Sequence, residues 1–208
     1  MDNRPLVKNV FNKHAAAYQE RFMDVTLYHD SLDIFLNALV SHAVILDVGC
    51  GPGNISRYLL DRREGLYITG IDLAENMIAL AKENNPEARF EVMDCRDILT
   101  TNKTFDGVVL GFCLPYLTKE ETLKLISDAA SMLLQGGMLY LSTMEDDYSK
   151  SGAATSSSGD DIYMYYHEEK YLSAAIVNAG LNIKDLRRKE YPGRDGNPVV
   201  DIIIVATK

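Results

Sequence analysis

The stretch VILDVGCGPGN, residues 44–54, decides how the chain is read. A β-rich run starting at Val44 gives way to six positions holding three glycines, a cysteine, a proline and an asparagine. Gly49, Gly51 and Gly53 fall where a strand hands over to a helix. Glycine there permits positive φ and lets the backbone approach a ligand closely. In open α/β sheets, ligands sit at the carboxyl ends of the strands, where the chain order reverses. Three alternating glycines exceed what a bare turn needs, and an acid, Asp47, stands just ahead of them.

Two ligand classes compete for such a loop. A dinucleotide fingerprint reads G-x-G-x-x-G, with the pyrophosphate at the helix N-terminus. Its third glycine would fall at position 54, which is Asn54, and Asp47 would put negative charge near two phosphates. A ligand without phosphates and with a cationic amino group suits the loop better. S-adenosylmethionine is such a ligand: an adenosine, a sulfonium and an amino-acid tail.

Outward from the loop, strand and helix patterns alternate. Ahead of it, residues from about Leu6 to Leu39 have helix character, with Leu32, Phe35, Leu36 and Leu39 making one apolar stripe. After it come helix ISRYLLDRR, strand LYITGIDL, helix AENMIALAKENN and strands ARFEVMD and FDGVVLGFCL. The helix TKEETLKLISDAASMLLQGG opens on a Thr118/Glu121 capping box, and Gly136-Gly137 read as its left-handed stop. MLYLSTM is a fifth strand. Such alternation predicts a parallel sheet covered on both faces. After the helix HEEKYLSAAIVNAG, LNIKDLRRKEY and VVDIIIVATK are joined by PGRDGNP with no helix between them, which predicts an antiparallel hairpin. SKSGAATSSSG, residues 149–159, reads as a mobile loop near the ligand end of the sheet.

With these motifs in view, the sequence resembles the class I S-adenosylmethionine-dependent methyltransferases of small-molecule type. VILDVGCGPGN matches that family's first motif almost residue for residue, and the likeness extends from FNKHAAAYQERF to the final hairpin. The resemblance implies a Rossmann-like, mostly parallel seven-stranded α/β sheet with an antiparallel C-terminal hairpin and helices on both faces. It implies one methyltransferase domain over residues 1–208, with residues 1–40 as a helical cap over the active site. S-adenosylmethionine would be the cofactor and S-adenosylhomocysteine the product.

The same resemblance distributes roles. Asp47, Gly49, Cys50 and Gly51 belong to the cofactor loop. Asp72, nineteen residues after Gly53, is placed as the ribose ligand, flanked by Leu73 and Met77. A competing reading makes Asp72 the N-cap of the helix AENM. Asp94 and the Cys95 amide take the adenine edge with Arg96 beside them, although Asp94 also reads as a turn cap and Asp97 competes with it. Gly111 and Phe112 meet the methionine part. Tyr18 matches a tyrosine that closes over the cofactor, and it also reads as plain core packing. Cys113, Tyr116, Tyr163, Tyr165 and Tyr166 are candidates for the acceptor pocket. No catalytic residue is assigned. Tyr18 and His167 are weak candidates, and the position of His167 favours a helix start over a base.

Two departures from nucleic-acid methyltransferases matter. The fourth strand has no [DN]-PP-[YF], and Cys113 is not preceded by proline as in the cytosine-C5 enzymes that use a thiolate nucleophile. The net charge of -9 also disfavours a nucleic-acid substrate, because such binding rests on basic side chains. Three cysteines without CxxC or His/Cys spacing predict a reducing compartment and no structural zinc. A polar N-terminal segment and no apolar run of about 20 residues predict a cytoplasmic protein off the membrane. Methyl transfer from a sulfonium demands alignment and exclusion of water more than acid–base chemistry, so no obligatory metal and no covalent intermediate are expected. The rivals are a non-catalytic S-adenosylmethionine-binding module and an NAD-dependent oxidoreductase. Methyl acceptor and oligomeric state are left open.

Overall fold

A computed structural model describes residues 3–155, 159–193 and 198–208. The helices α1 (Arg4–Phe22) and α2 (His29–Ala38) precede β1 (Val44–Val48). There follow α3 (Asn54–Arg62), β2 (Tyr67–Asp72), α4 (Glu75–Asn84), β3 (Arg89–Val92) and β4 (Phe105–Gly111). The second half comprises α5 (Lys119–Met132), β5 (Leu133–Glu145), a hairpin of β6 (Gly152–Thr155) and β7 (Asp161–Met164), α6 (Glu169–Asn178), β8 (Asn182–Pro192) and β9 (Pro198–Thr207). The main sheet runs β3-β2-β1-β4-β5-β9-β8. β1 pairs in parallel with both β2 and β4, while β9 runs antiparallel between β5 and β8. The chain order therefore reverses between β1 and β4, and the glycine loop sits at that point.

Strand side chains alternate between two cores. Leu46, Val48, Val108, Leu110, Leu139, Leu141, Ile202 and Ile204 face one side, under α5 and α6. Ile45, Val109, Tyr140, Ile203 and Val205 face the other, under α2 and α3. Both faces are covered, which is why the strands read as continuous apolar runs. Each fully buried Leu or Ile contributes roughly 1.5–3 kcal/mol.

The seven-stranded sheet and its antiparallel C-terminal pair agree with the expectation from sequence. Two local readings are corrected. α5 ends at Met132, four residues before the glycine pair, and Leu133 turns extended to pair with Phe105. Lys208 closes that helix instead: its Nζ donates to the carbonyls of Ala130 and Leu133 at 2.8 and 2.7 Å. Gly136, at φ +79, donates to the Lys208 carbonyl, so the pair forms a bend within the sheet. The reading of residues 149–159 as a loop also fails in part. Residues 148–150 form a short turn and residues 152–155 are β6. The run of small residues in β6 carries no strand signal of its own, and its partner is β7. Residues 156–158, and residues 194–197 of PGRDGNP, lie outside the described residues.

Among the described residues, no helix is long and apolar enough to cross a membrane.

Candidate active site

Four strand ends build one narrow inner cavity of about 80 Å³. Gly49 and Gly51 line it after β1, Asp72 and Leu73 after β2, Asp94 to Arg96 after β3, and Gly111 and Phe112 after β4. Gly49, Gly51 and Gly53 all have positive φ. At Gly49 a Cβ would stand 2.7 Å from the Cys113 Cβ, so the loop closes tightly only with glycine there.

Asp72 is the centre of the site. Its Oδ2 accepts from the Gly51 amide at 3.0 Å and its Oδ1 from the Ala74 amide at 2.9 Å. The N-cap of α4 is Ala74, so Asp72 does not hold the cap position of that helix. Burial raises its pKa, and the backbone donors oppose that rise. Each oxygen keeps acceptor capacity for a further donor.

Asp94 does cap the turn Cys95–Thr101, accepting from the Arg96 amide. The Arg96 guanidinium forks, with Nη1 on Asp94 at 3.0 Å and Nε on Glu121 at 2.6 Å. Glu121 is also the acid of the Thr118 capping box, so one helix start anchors Arg96 at the cavity wall. Asp97 is exposed and does not line the cavity.

α1 covers this cavity from outside. Phe11 packs edge-on to Tyr18 and Tyr116, with ring centroids 5.6 and 5.0 Å away. Burial, reinforced by Asp72, pushes the Tyr18 hydroxyl up to about 12. Beyond these rings lies an outer cleft of about 1190 Å³. Phe11, Tyr18, Phe112 and Tyr116 line both chambers and divide them. Phe112 stands in the left-handed region at φ 55, an uncommon position for an aromatic residue.

Several sequence candidates lie elsewhere. Asp47 is buried beneath the loop, accepting from Ser56 Oγ at 2.7 Å, and burial pushes its pKa up to about 6. Cys50 packs with Ile78, Ala81 and Phe90 behind the loop. Neither lines a chamber. Strand alternation on β7 sends Ile162 and Met164 to the outer cleft, along with Tyr166 beyond the strand end. Tyr163 and Tyr165 line neither chamber and pack on each other at 4.8 Å. His167 is fully buried, with Nε2 against the Leu114 carbonyl at 2.8 Å and Nδ1 against the Tyr171 hydroxyl. Burial drives its pKa down to about 4. It therefore ties the turn after β4 to α6 and has no ring nitrogen left to serve as a base; α6 itself begins at Glu169. Sequence reasoning missed Asn3, Arg4, Val7 and Phe11, which line the inner cavity from α1 and the residue just ahead of it. The spacing of Val7, Phe11 and Tyr18 along one helix face was the signal that could have found them.

Residues 45–137 match the family described as Methyltransferase domain. A trans-aconitate 2-methyltransferase from Delftia acidovorans is 48% identical over 97 residues, 46% of this chain and 35% of that protein. A malonyl-[acyl-carrier protein] O-methyltransferase from Priestia megaterium is 29% identical over 148 residues, 69% of this chain and 53% of that protein. A solved S-adenosylmethionine-dependent methyltransferase from Methanosarcina mazei superposes with a TM-score of 0.71 at 25% identity, covering 84% of this chain and 96% of that one. Residues 45–137 are a methyltransferase domain, and the chain has the fold of the S-adenosylmethionine-dependent methyltransferases. Members of that family use S-adenosylmethionine as cofactor. The chain spans only about a third to about half of the curated relatives' lengths, 35% and 53% in the two cases above.

Proposed function

We propose that this methyltransferase chain transfers the methyl group of S-adenosylmethionine to a small-molecule acceptor held in the outer cleft. The observation that carries the reading is the Asp72 carboxylate, fixed by two backbone amides at the end of β2 and facing the cavity. A carboxylate so held is ready to accept from two adjacent ribose hydroxyls. Leu73 and Met77 offer apolar flanks to the nucleoside, and the Asp94–Arg96 corner offers polar groups to the adenine edge. The glycine backbone at 49, 51 and 111 leaves room for an amino-acid tail without a side chain in the way. When bound, S-adenosylmethionine supplies an electrophilic methyl group on a sulfonium. Phe112, Tyr116 and Tyr18 then stand between donor and acceptor chambers, where they exclude water and hold the approach. The names of the two curated relatives fit a non-nucleic acceptor, as does the net charge of -9.

Calorimetry tests the reading. Wild type is expected to bind S-adenosylhomocysteine, and Asp72→Ala to bind it more than about tenfold more weakly. Binding of NADH with no binding of S-adenosylhomocysteine would overturn it. Methyl transfer into any compound of a metabolite extract separates an enzyme from a binding module.

A further inference from the structure

On the far wall of the outer cleft a buried acid stands outside the machinery described so far. Asp201, on β9, is fully buried. Its Oδ2 accepts from the Tyr28 hydroxyl at 2.6 Å and its Oδ1 from the Tyr191 hydroxyl at 3.4 Å. Among the described residues no cation pairs with it. Lys189, opposite it in register, donates to Asp30 instead, and Arg187 to Asp30 and Asp185. Arg21 from α1 and Tyr166 act on Tyr191, while Tyr140 from β5 faces the same patch and hydrogen-bonds Ser31. A buried carboxylate held by phenols alone is costly to keep ionised. Its pKa is pushed up to about 6 by burial, against the pull of the two hydroxyls.

Tyr28 and Tyr191 line the cleft, and Asp201 lies directly behind them. The Tyr28 ring packs 5.2 Å from Phe112, the ring that divides the two chambers. We infer that Tyr28 and Asp201 form the hydroxyl-recognising, proton-accepting end of the acceptor site, and that the acceptor is a planar phenol; this rests on the methyl-transfer reading above. Three features select that class. Tyr28 already donates its proton to Asp201, so toward a visitor it can only accept, which favours a protonated hydroxyl over a carboxylate or an ether. Phe22, Phe112, Tyr116 and Tyr166 line the cleft with flat aromatic faces. A base in the carboxylate range matches the acidity of a phenol far better than that of an alkanol. In turnover, the acceptor oxygen forms the new O–CH3 bond as the S–CH3 bond breaks, its electron pair remaining on sulfur. The acceptor proton passes to the Tyr28 oxygen, and the Tyr28 proton passes to Asp201.

The test uses 4-methylphenol and 4-methylanisole, titrated by NMR into the full chain saturated with S-adenosylhomocysteine. At pH 7.5 the phenol is expected to bind about tenfold more tightly than its methyl ether. That ratio should shrink as pH falls through about 6, when Asp201 takes up a proton. Tyr28→Phe keeps the ring against Phe112 and should bring the ratio near one with 4-methylanisole affinity retained. Its melting temperature should fall because Asp201 loses its shorter hydrogen bond, and retained S-adenosylhomocysteine binding shows that the variant is folded. Asp201→Asn should make the ratio independent of pH. Equal binding of the two probes, or a ratio unchanged in Tyr28→Phe, overturns the inference. Failure to bind S-adenosylhomocysteine at all instead overturns the methyltransferase reading, so the two failures are told apart.

Discussion

The inner cavity and the outer cleft are built by different means. The inner one is assembled around strand ends on adjacent strands of one sheet, whose amides, glycines and two carboxylates form its floor, while α1 and the aromatic rings close it from outside. Each element lies within a few residues of a motif, so local sequence determines its geometry. The outer one is assembled from α1, the turn after β4, the β6–β7 hairpin and the last two strands. Its polar centre joins Tyr28 to Asp201, 173 positions apart in the chain. A cavity of the first kind suits a ligand shared across a family, and a cleft of the second kind can change its ligand without disturbing the first.

The largest effect should come from breaking the inner wall. Gly49→Ala puts a Cβ at φ +67 and 2.7 Å from the Cys113 Cβ, a backbone-anchored atom with little freedom to yield. Left-handed backbone alone costs about 1–2 kcal/mol for an alanine. Displacement of the loop should weaken S-adenosylhomocysteine binding about a hundredfold by calorimetry. An affinity within threefold of wild type would show that the loop does not shape the cofactor site.

The contrast also explains what could be read beforehand. The order of the first strands and helices was legible because β1, β2, β3 and β4 are short β-rich runs closed by Gly or Asp within two residues of their ends. Asp72 and Asp94 were legible because a strand end places the next acid at the sheet's rim. Asp47 was legible as a strand acid, but its direction was not. The pleat turns it under the loop to Ser56, nine residues on, and no motif records that. The cleft was hardly legible. β6 is made of Gly, Ala and Thr, and its strand character comes only from pairing with β7. Tyr163, Tyr165 and Tyr166 looked equivalent in sequence, and the fold separates them: of the three only Tyr166, beyond the end of β7, lines the cleft.

His167 marks the seam between the regions, and its removal should have the next largest effect. His167→Phe leaves the Leu114 carbonyl and the Tyr171 hydroxyl without their partner, which costs about 2–3 kcal/mol. The melting temperature should fall by roughly 4–10 °C with S-adenosylhomocysteine affinity little changed. The pH sign follows from its depressed pKa. The folded state holds the ring neutral down to about 4, whereas the unfolded chain protonates near pH 6.5. Its contribution is therefore complete above about pH 6.5 and lost as pH falls toward 4. The gap between wild type and His167→Phe should narrow on acidification in that window. A gap that widens instead would mean that the ring is charged in the fold.

Asp47 has the opposite sign. Its folded pKa near 6 exceeds the unfolded value near 3.8, so the carboxyl favours folding below about 3.8 and loses that contribution as pH rises through 6. Asp47→Asn removes the ionisation while keeping an acceptor for Ser56. Relative to wild type, the variant should gain stability between pH 4 and 6, by on the order of 2 kcal/mol, and level off above. Denaturant titrations across that range would measure it. A difference independent of pH would place the charge in water rather than beneath the loop.

The smallest effects sharpen the cleft itself. Tyr166 lines it and Tyr163, three residues earlier and 38% exposed, does not. Tyr166→Ala should weaken 4-methylphenol binding about three- to tenfold, the range of one lost aromatic contact. Tyr163→Ala should leave that affinity unchanged and cost about 0.5–1.5 kcal/mol of stability, the loss of its contact with the Tyr165 ring. The pair tests which side of this segment faces the cleft, because both residues are tyrosines on one short stretch, one on β7 and one just beyond its end. Equal losses from the two would mean that the hairpin packs on the cleft by its other face, and would remove Ile162 and Met164 from the wall as well.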